Sequence, residues 1–251
     1  MAIPIKNDNQ LARMREAGRV VAEVFALLKA SVHPGVSTRD LERLAVTHMR
    51  KYGAKPSFRG YRDFPASICT SVNNEVIHGI PGIKKLKSGD IISIDVGVFL
   101  NGFHADAART YPVGDVTPEA LRLISVTRES FYNCIEHARP GRHLHDISAA
   151  VQDYVEMFGY NVVKEYVGHG VGKELHEEPQ IPMCRQKNRG PRLCKGMTLA
   201  IEPMVNQGTD EVDTLPDNWT VVTKDGALSA HYENTILITD DEPEILTKIM
   251  R

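Results

Sequence analysis

Hydrophobic and polar positions alternate along this chain with two periods, and the change from one to the other marks out its elements. Leu11, Met14, Gly18, Val21, Phe25 and Leu28 recur at spacings of three and four, which predicts an amphipathic helix over residues 11–30. His33-Pro34-Gly35 ends it. Ser37, with Asp40 three residues on, opens a second helix through Leu41, Leu44, Val46 and Met49, and Gly53 closes it. Residues 55–64 read as irregular, 67–72 as a short strand and 73–81 as a loop. The period then becomes two. Residues 91–100 and 103–111 read as strands on either side of Asn101-Gly102, a pair that supplies both positive φ angles of a type I′ hairpin turn. A two-residue turn pairs Gly97 with Asp106 and Asp95 with Ala108. Asp95 and Asp106 then share a face in diagonal register, roughly 7–8 Å apart at Cα.

The second half of the chain repeats this order. Thr117-Pro118-Glu119 opens a helix to His137, a second helix covers 146–158, and strands follow at 160–166, 196–204, 219–223 and 228–238. Pro34-Gly35, Asp40-Leu41 and Gly53 match Pro140-Gly141, Asp146-Ile147 and Gly159 with identical steps. His78-Gly79-Ile80 matches His169-Gly170-Val171, Gly89 to Asp95 matches Gly196 to Glu202, and Glu233 is the counterpart of Asp106. Five landmarks in one order imply a duplicated helix–helix–strand–hairpin unit. The expected fold is α+β: one domain over 1–251, with halves of about 10–113 and 114–240 related by a pseudo-twofold axis. Their strands would form one curved antiparallel sheet with the helices on its outer face.

Composition narrows the functional classes. The 251 residues are 42% hydrophobic, enough for one large core or two small ones. Thirty basic against 32 acidic residues, with no long Lys/Arg run, give no nucleic-acid motif; the locally basic 185–195 stretch carries Gly190 and Pro191 and reads as an exposed loop. Cys69, Cys134, Cys184 and Cys194 form no C-x-x-C pair, which argues against a zinc knuckle or a disulfide framework and for a reducing compartment. The first ten residues hold no hydrophobic signal segment, and the longest apolar runs are broken by Glu23 or Asp95, so no membrane span is expected. A monomeric cytoplasmic protein is the expectation.

The duplication brings Asp95, Asp106, His169, Glu202 and Glu233 toward the axis. A strand aspartate alone usually faces water, and a lone histidine is as often a satisfied core residue. Four carboxylates and one imidazole together repel one another unless cations lie between them. The oxygen-rich set suits two divalent ions of the Mn, Fe, Co or Zn type about 3.5–4 Å apart, and hydrolysis of a carbonyl substrate. His104 and His231, each two residues from an acid, read as ordinarily hydrogen-bonded rather than as supports for the ligands. His143 and His145 read as surface residues, and Met183, Met197 and Met204 as core filler.

Tyr166-Val167-Gly168-His169-Gly170-Val171-Gly172, followed by His176-Glu177-Glu178-Pro179, resembles the type I methionine aminopeptidases. So do Phe64-Pro65-Ala66-Ser67-Ile68-Cys69, His78-Gly79-Ile80-Pro81 and Ala200-Ile201-Glu202-Pro203. The resemblance covers nearly the whole chain. It implies the two-halved pita-bread fold and a dinuclear centre on Asp95, Asp106, His169, Glu202 and Glu233. It also implies removal of the initiator methionine from nascent polypeptide N-termini, before a small second residue and in transient association with the ribosome. By the same resemblance His78 and His176 contact the substrate and stabilise the transition state, and Glu202 also shuttles a proton. Phe58, Tyr61, Phe64, Cys69 and Trp219 would line the methionine pocket with Leu175. Leu175 stands where the family often has Phe, Phe58 where some members have Cys, and Met183-Cys184 replaces the usual pair, so pocket shape departs from the pattern. Two rivals remain. An X-Pro aminopeptidase or prolidase shares the ligands but usually carries an additional N-terminal domain, whereas about ten residues precede the first helix here. A non-catalytic interaction module typically loses ligands, and all five stand.

Overall fold

The computed structural model describes residues 2–249, so the two ends of the expected 1–251 domain lie outside the described residues. Each helix begins where a polar side chain or carboxylate satisfies free backbone N–H groups. In α1 (Asp8–Ser31) Asn7 and Gln10 exchange side-chain to backbone hydrogen bonds at 2.9 and 3.0 Å. In α2 (Thr38–Lys51) the Ser37 hydroxyl accepts from the Asp40 N–H. Thr117 caps α3 (Pro118–Ile135) in the same way. In α4 (Leu144–Met157) the order reverses: the His143 N–H donates to the Asp146 carboxylate at 3.0 Å.

The hairpin of Ile91–Leu100 and Phe103–Pro112 pairs in the predicted register, Gly97 with Asp106 and Asp95 with Ala108. Asn101 and Gly102 take φ of 52° and 84°. The first strand also pairs with Cys69–Val72 and Lys55–Pro56; the second pairs with Glu233–Leu237. From there the order continues through Thr198–Ile201 and Val167–Gly170 to Glu177–Pro182. With Glu244–Ile245 on the far side of Glu233–Leu237, this sheet has nine strands, and its pairings are antiparallel.

The single sheet expected from the sequence is divided. Two three-stranded sheets stand beside the large one: Ser229–His231, Met204–Asn206 and Asn161–Val162 form one, and Val212–Thr214, Val221–Thr223 and Glu75–Ile77 the other. The strands expected over 196–204 and 228–238 therefore break, at Glu202-Pro203 and at Tyr232. Pro203 has no N–H to give to a ladder, and its carbonyl accepts instead from the Tyr232 N–H at 3.1 Å. The two interruptions are thus joined to each other, and both chains step off the large sheet together. Of the strand expected over 160–166 only Asn161–Val162 forms. Glu75–Ile77 is a strand inside the loop expected over 73–81, and Glu177–Pro182 is a strand where none was expected.

Even-numbered residues of the hairpin's first strand face the helices. Ile92, Ile94, Val96 and Val98 are buried with Val21, Phe25 and Leu28 of α1 and Leu41 and Met49 of α2. In the second half Leu123 and Phe131 of α3 and Ile147 and Val151 of α4 are buried with Leu199, Ile201 and Ile236. Each such side chain contributes about 1.5–3 kcal/mol through burial. The helices cover one face of the sheet, and odd-numbered Asp95 points to the other. The duplication extends to backbone geometry. Gly35 and Gly141 have φ of 94° and 83°, and Gly89 and Gly196 have φ of 96° and 88°. Gly35 N–H donates to the Leu86 carbonyl and Gly141 N–H to that of Leu193, at 2.8 and 3.0 Å.

Candidate active site

Strand register sets the acids side by side. Cys69, Asp95, Ala108 and Glu233 are paired across neighbouring strands, so their side chains share one face. Ala108 lies between Asp95 and Glu233, and its single methyl leaves the space between the two carboxylates open. His169, Ala200 and Thr235 form a second such row, again with an alanine in the middle. Thr235 then fixes Asp106: its hydroxyl accepts from the Asp106 N–H and donates to the Asp106 carbonyl, both at 2.9 Å. Ligand atoms of Asp106, His169 and Glu233 consequently lie within 4.8 Å of one another. Glu202, at the end of its strand, brings Oε1 to 3.8 Å from His169 Nε2.

The set fits divalent cations. Burial, and then the neighbouring negative charges, push Asp95, Glu202 and Glu233 well above the ordinary carboxylate range, and burial raises Asp106 to about 7. Among the described residues, Asp95 Oδ1, Asp106 Oδ1 and Glu233 Oε1 are buried without any hydrogen-bond partner, a state that costs several kcal/mol for ionised groups and is relieved by a bound cation. His169 Nδ1 donates to the Gly170 carbonyl at 2.8 Å, so Nε2 keeps its lone pair for the cluster. The glycines around it are needed for close approach: a Cβ on Gly168 would lie 2.4 Å from the Ala200 carbonyl oxygen and one on Gly170 2.2 Å from that of Glu178.

An apolar slot opens beside this cluster. Phe58, Phe64, Ala66, Cys69 and Leu175 are buried together, with Tyr61, Ile80 and Trp219 packed against them. Trp219 meets Phe64 edge-on at 5.0 Å. Cys69 is held as a thiol, because burial and then the Asp95 charge push its pKa well up. His78 lines the same cavity, its ring 5.8 Å from that of Tyr166 and 6.1 Å from that of Trp219. Its φ of 60° is a strained conformation for a side chain of this size. Burial lowers its pKa to about 4, so the ring is neutral at neutral pH. The His176 ring lies 4.1 Å from that of His169, tilted by 56°, and, through burial and the neighbouring His169, has its pKa lowered to about 3.

A cavity of about 730 Å3 joins the two regions, and every residue expected from the sequence as a metal ligand, catalytic group or pocket wall, from Phe58 to Glu233, lines it. Sequence reasoning missed several contributors. Tyr61, expected only as pocket wall, places its hydroxyl 2.7 Å from His176 Nδ1. His231, expected to be ordinarily hydrogen-bonded, is buried with its Nε2 unpartnered among the described residues and 3.8 Å from Glu202 Oε2; two residues before Glu233, it lies on that residue's face. His104 does bond ordinarily, to Ser57 at 2.9 Å. His143 and His145 are half-buried rather than surface residues, because the loop before α4 folds back on residues 189–192. Thr235, Ala108 and Ala200 carry no signal of their own in the sequence.

Comparison with known proteins places these features in context. A family model described as metallopeptidase family M24 matches residues 12–240. A methionine aminopeptidase of Clostridium acetobutylicum is 56% identical over 246 residues, covering 98% of each chain. The crystal structure of a methionine aminopeptidase from Thermotoga maritima superposes with a TM-score of 0.97 at 45% identity, covering 98% of this chain and all of that one. A prolidase from Pyrococcus furiosus has a TM-score of 0.81 at 22% identity and covers 98% of this chain but 66% of its own length, a likeness of fold alone.

Proposed function

This chain belongs to metallopeptidase family M24, and from that premise we propose that it removes the N-terminal methionine from nascent polypeptides when the second residue is small. The observation that carries the reading is the opening of the Asp106–His169–Glu233 cluster directly onto an apolar slot within one cavity. Asp95, Asp106, His169, Glu202 and Glu233 would hold two divalent ions, with Mn, Fe, Co and Zn all suited to the donor set. When bound, such ions supply Lewis-acid polarisation of a carbonyl and bring the ionisation of water toward neutral pH.

The rest of the chemistry falls to the chain's own side chains. Phe58, Phe64, Cys69, Leu175 and Trp219 enclose the thioether, which gains from aromatic contact. Glu202 takes a proton from the attacking water and returns it to the leaving amine. The Tyr61 hydroxyl donates to His176 Nδ1, which leaves the ring proton on Nε2. From there the N–H donates a hydrogen bond to the substrate oxygen that gains charge, and the proton stays on the ring. His78, rigid at its strained backbone, contributes a second polar contact to the substrate. On this reading the protein would work in the cytoplasm, as a monomer in transient contact with the ribosome. Among the described residues no helix is long and apolar enough to cross a membrane.

The test is peptide hydrolysis by protein loaded in turn with Mn(II), Fe(II), Co(II) and Zn(II), with metal content measured on the same samples. Met-Ala and Met-Gly peptides should be cleaved far faster than Met-Lys or Met-Trp peptides, and a chelator should stop the reaction. Preferential cleavage of X-Pro peptides would transfer the reading to the prolidases.

A further inference from the structure

Lys6 lies on the arm ahead of α1 and is only 7% exposed, a rare state for lysine. Its N–H donates to the Gly196 carbonyl at 2.9 Å, which fixes the arm's backbone. Its Nζ meets Glu177 Oε2 at 2.5 Å, with the two side chains 4% and 9% exposed. The other oxygen of Glu177 accepts from the backbone N–H groups of Lys173 at 2.8 Å and Glu174 at 3.3 Å. One carboxylate therefore closes the turn over residues 173–177, and one ammonium holds the carboxylate. That turn delivers Leu175 to the slot and His176 to the cavity.

The backbone makes room for the pair. A Cβ on Gly172 would lie 2.5 Å from Glu177 Oε1 and 2.6 Å from Lys6 Cε. The turn's other end is anchored by the His104 N–H, which donates to the Gly172 carbonyl at 2.7 Å. A buried ion pair adds little net stability over an apolar pair of equal volume; its distinctive product is a fixed geometry. Ala2 and Pro4, on the same arm, line the cavity that His176 enters.

We propose that the Lys6–Glu177 ion pair is a positioning device for His176, bracing its turn from outside while Tyr61 orients its ring from within. The inference rests on the reading above, in which His176 touches the substrate. Lys6→Met keeps the apolar stem and removes the charge. It should lower kcat for a Met-Ala peptide about ten- to a hundredfold, leave KM within about threefold, and leave metal content unchanged. Lys6→Arg, which keeps the charge, should recover most of the loss. Amide exchange at Lys173 and Glu174 should quicken in Lys6→Met and not in Lys6→Arg. An unchanged kcat, a rise in KM alone, or loss of metal together with activity would each overturn the proposal. Should Lys6→Met fail to fold, Glu177→Gln keeps an oxygen for the two amides while removing the charge, and the same outcomes apply. If the parent protein releases no methionine, the functional reading fails separately. Amide exchange then decides the tie, and unaltered rates in Lys6→Met overturn it.

Discussion

In the first half Asp95 and Asp106 ride on a hairpin that pairs without interruption through ten rungs; in the second, Glu202 and Glu233 each stand where a strand leaves the large sheet. The frames around them are alike, down to the positive φ of matched glycines and the hydrogen bonds they donate. The difference teaches that duplication sets where the acids stand, while local breaks decide what else can reach them. An unbroken strand would keep alternating faces past Glu233. That alternation alone would set His231 on Glu233's face; the breaks at Tyr232 and Pro203 move its backbone pairing to Met204 in a three-stranded sheet, where its Nε2 lies 3.8 Å from Glu202 Oε2.

The matched histidines diverge in the same manner. His78 and His169 each precede a glycine that a Cβ would drive to 2.2 Å from a carbonyl oxygen. Yet His169 sits in a strand with Nδ1 tied to Gly170, and His78 sits in a left-handed bend among aromatic rings. One dipeptide serves two tasks because the backbone differs. This comparison breaks most visibly under paired substitution. His169→Ala should strip metal and lower kcat/KM by more than the loss of one hydrogen-bond donor, hence beyond about 10³-fold. His78→Ala should keep its metal and lose about 10²–10³-fold. Metal analysis and kinetics on the same preparations decide it, and equal metal loss in both variants would mean that the two copies have not diverged.

Much of this was legible in advance. Asn101-Gly102 fixed the hairpin register, and the repeated Pro-Gly, Asp-Leu/Ile and Gly spacing located both helix pairs. The breaks were less visible, although Pro203 inside a supposed strand was a usable sign. Glu177–Pro182 escaped because Glu-Glu-Pro-Gln lacks apolar alternation; that strand is held by its pairing with Val167–Gly170. Lys6 escaped because its partner lies 171 residues away and nothing local marks the pair.

The equivalence of the two frames can be sharpened at the glycines. Gly79→Ala and Gly170→Ala each force a methyl against a carbonyl oxygen, and each should cost about 2–3 kcal/mol. Gly35→Ala and Gly141→Ala meet nothing within 4 Å and suffer only their φ of 94° and 83°, which should cost about 1–2 kcal/mol. Urea unfolding of metal-free protein measures all four. If the frames are energetically as well as geometrically alike, the members of each pair agree within about 0.5 kcal/mol. A several-fold gap between Gly35→Ala and Gly141→Ala would confine the likeness to geometry.

The smallest effect lies at the second helix of each half, where the frames are alike and the caps are not. Ser37 accepts from the Asp40 N–H at 3.2 Å and donates to the Asp40 carboxylate at 2.5 Å, so one hydroxyl makes both bonds of the cap. At the matching position His143 offers its backbone N–H to Asp146 at 3.0 Å, and its ring Nδ1 is buried without a partner among the described residues. The first half therefore uses a side-chain acceptor that the second lacks. Ser37→Ala should cost about 1 kcal/mol, a fall in Tm of about 2–4 °C for a chain of this size. His143→Ser would bring a hydroxyl to the place Ser37 occupies and remove the unpartnered nitrogen. Its backbone pairing with Arg192 and the contact of Arg189 with Asp146 at 3.1 Å do not depend on the imidazole. The variant should gain about 1–3 °C in Tm, measured without metal so that ligand binding does not mask the shift. A fall instead would show that the imidazole's packing against its loop outweighs the missing cap, and that the second half tunes this helix by a contact the first half never had.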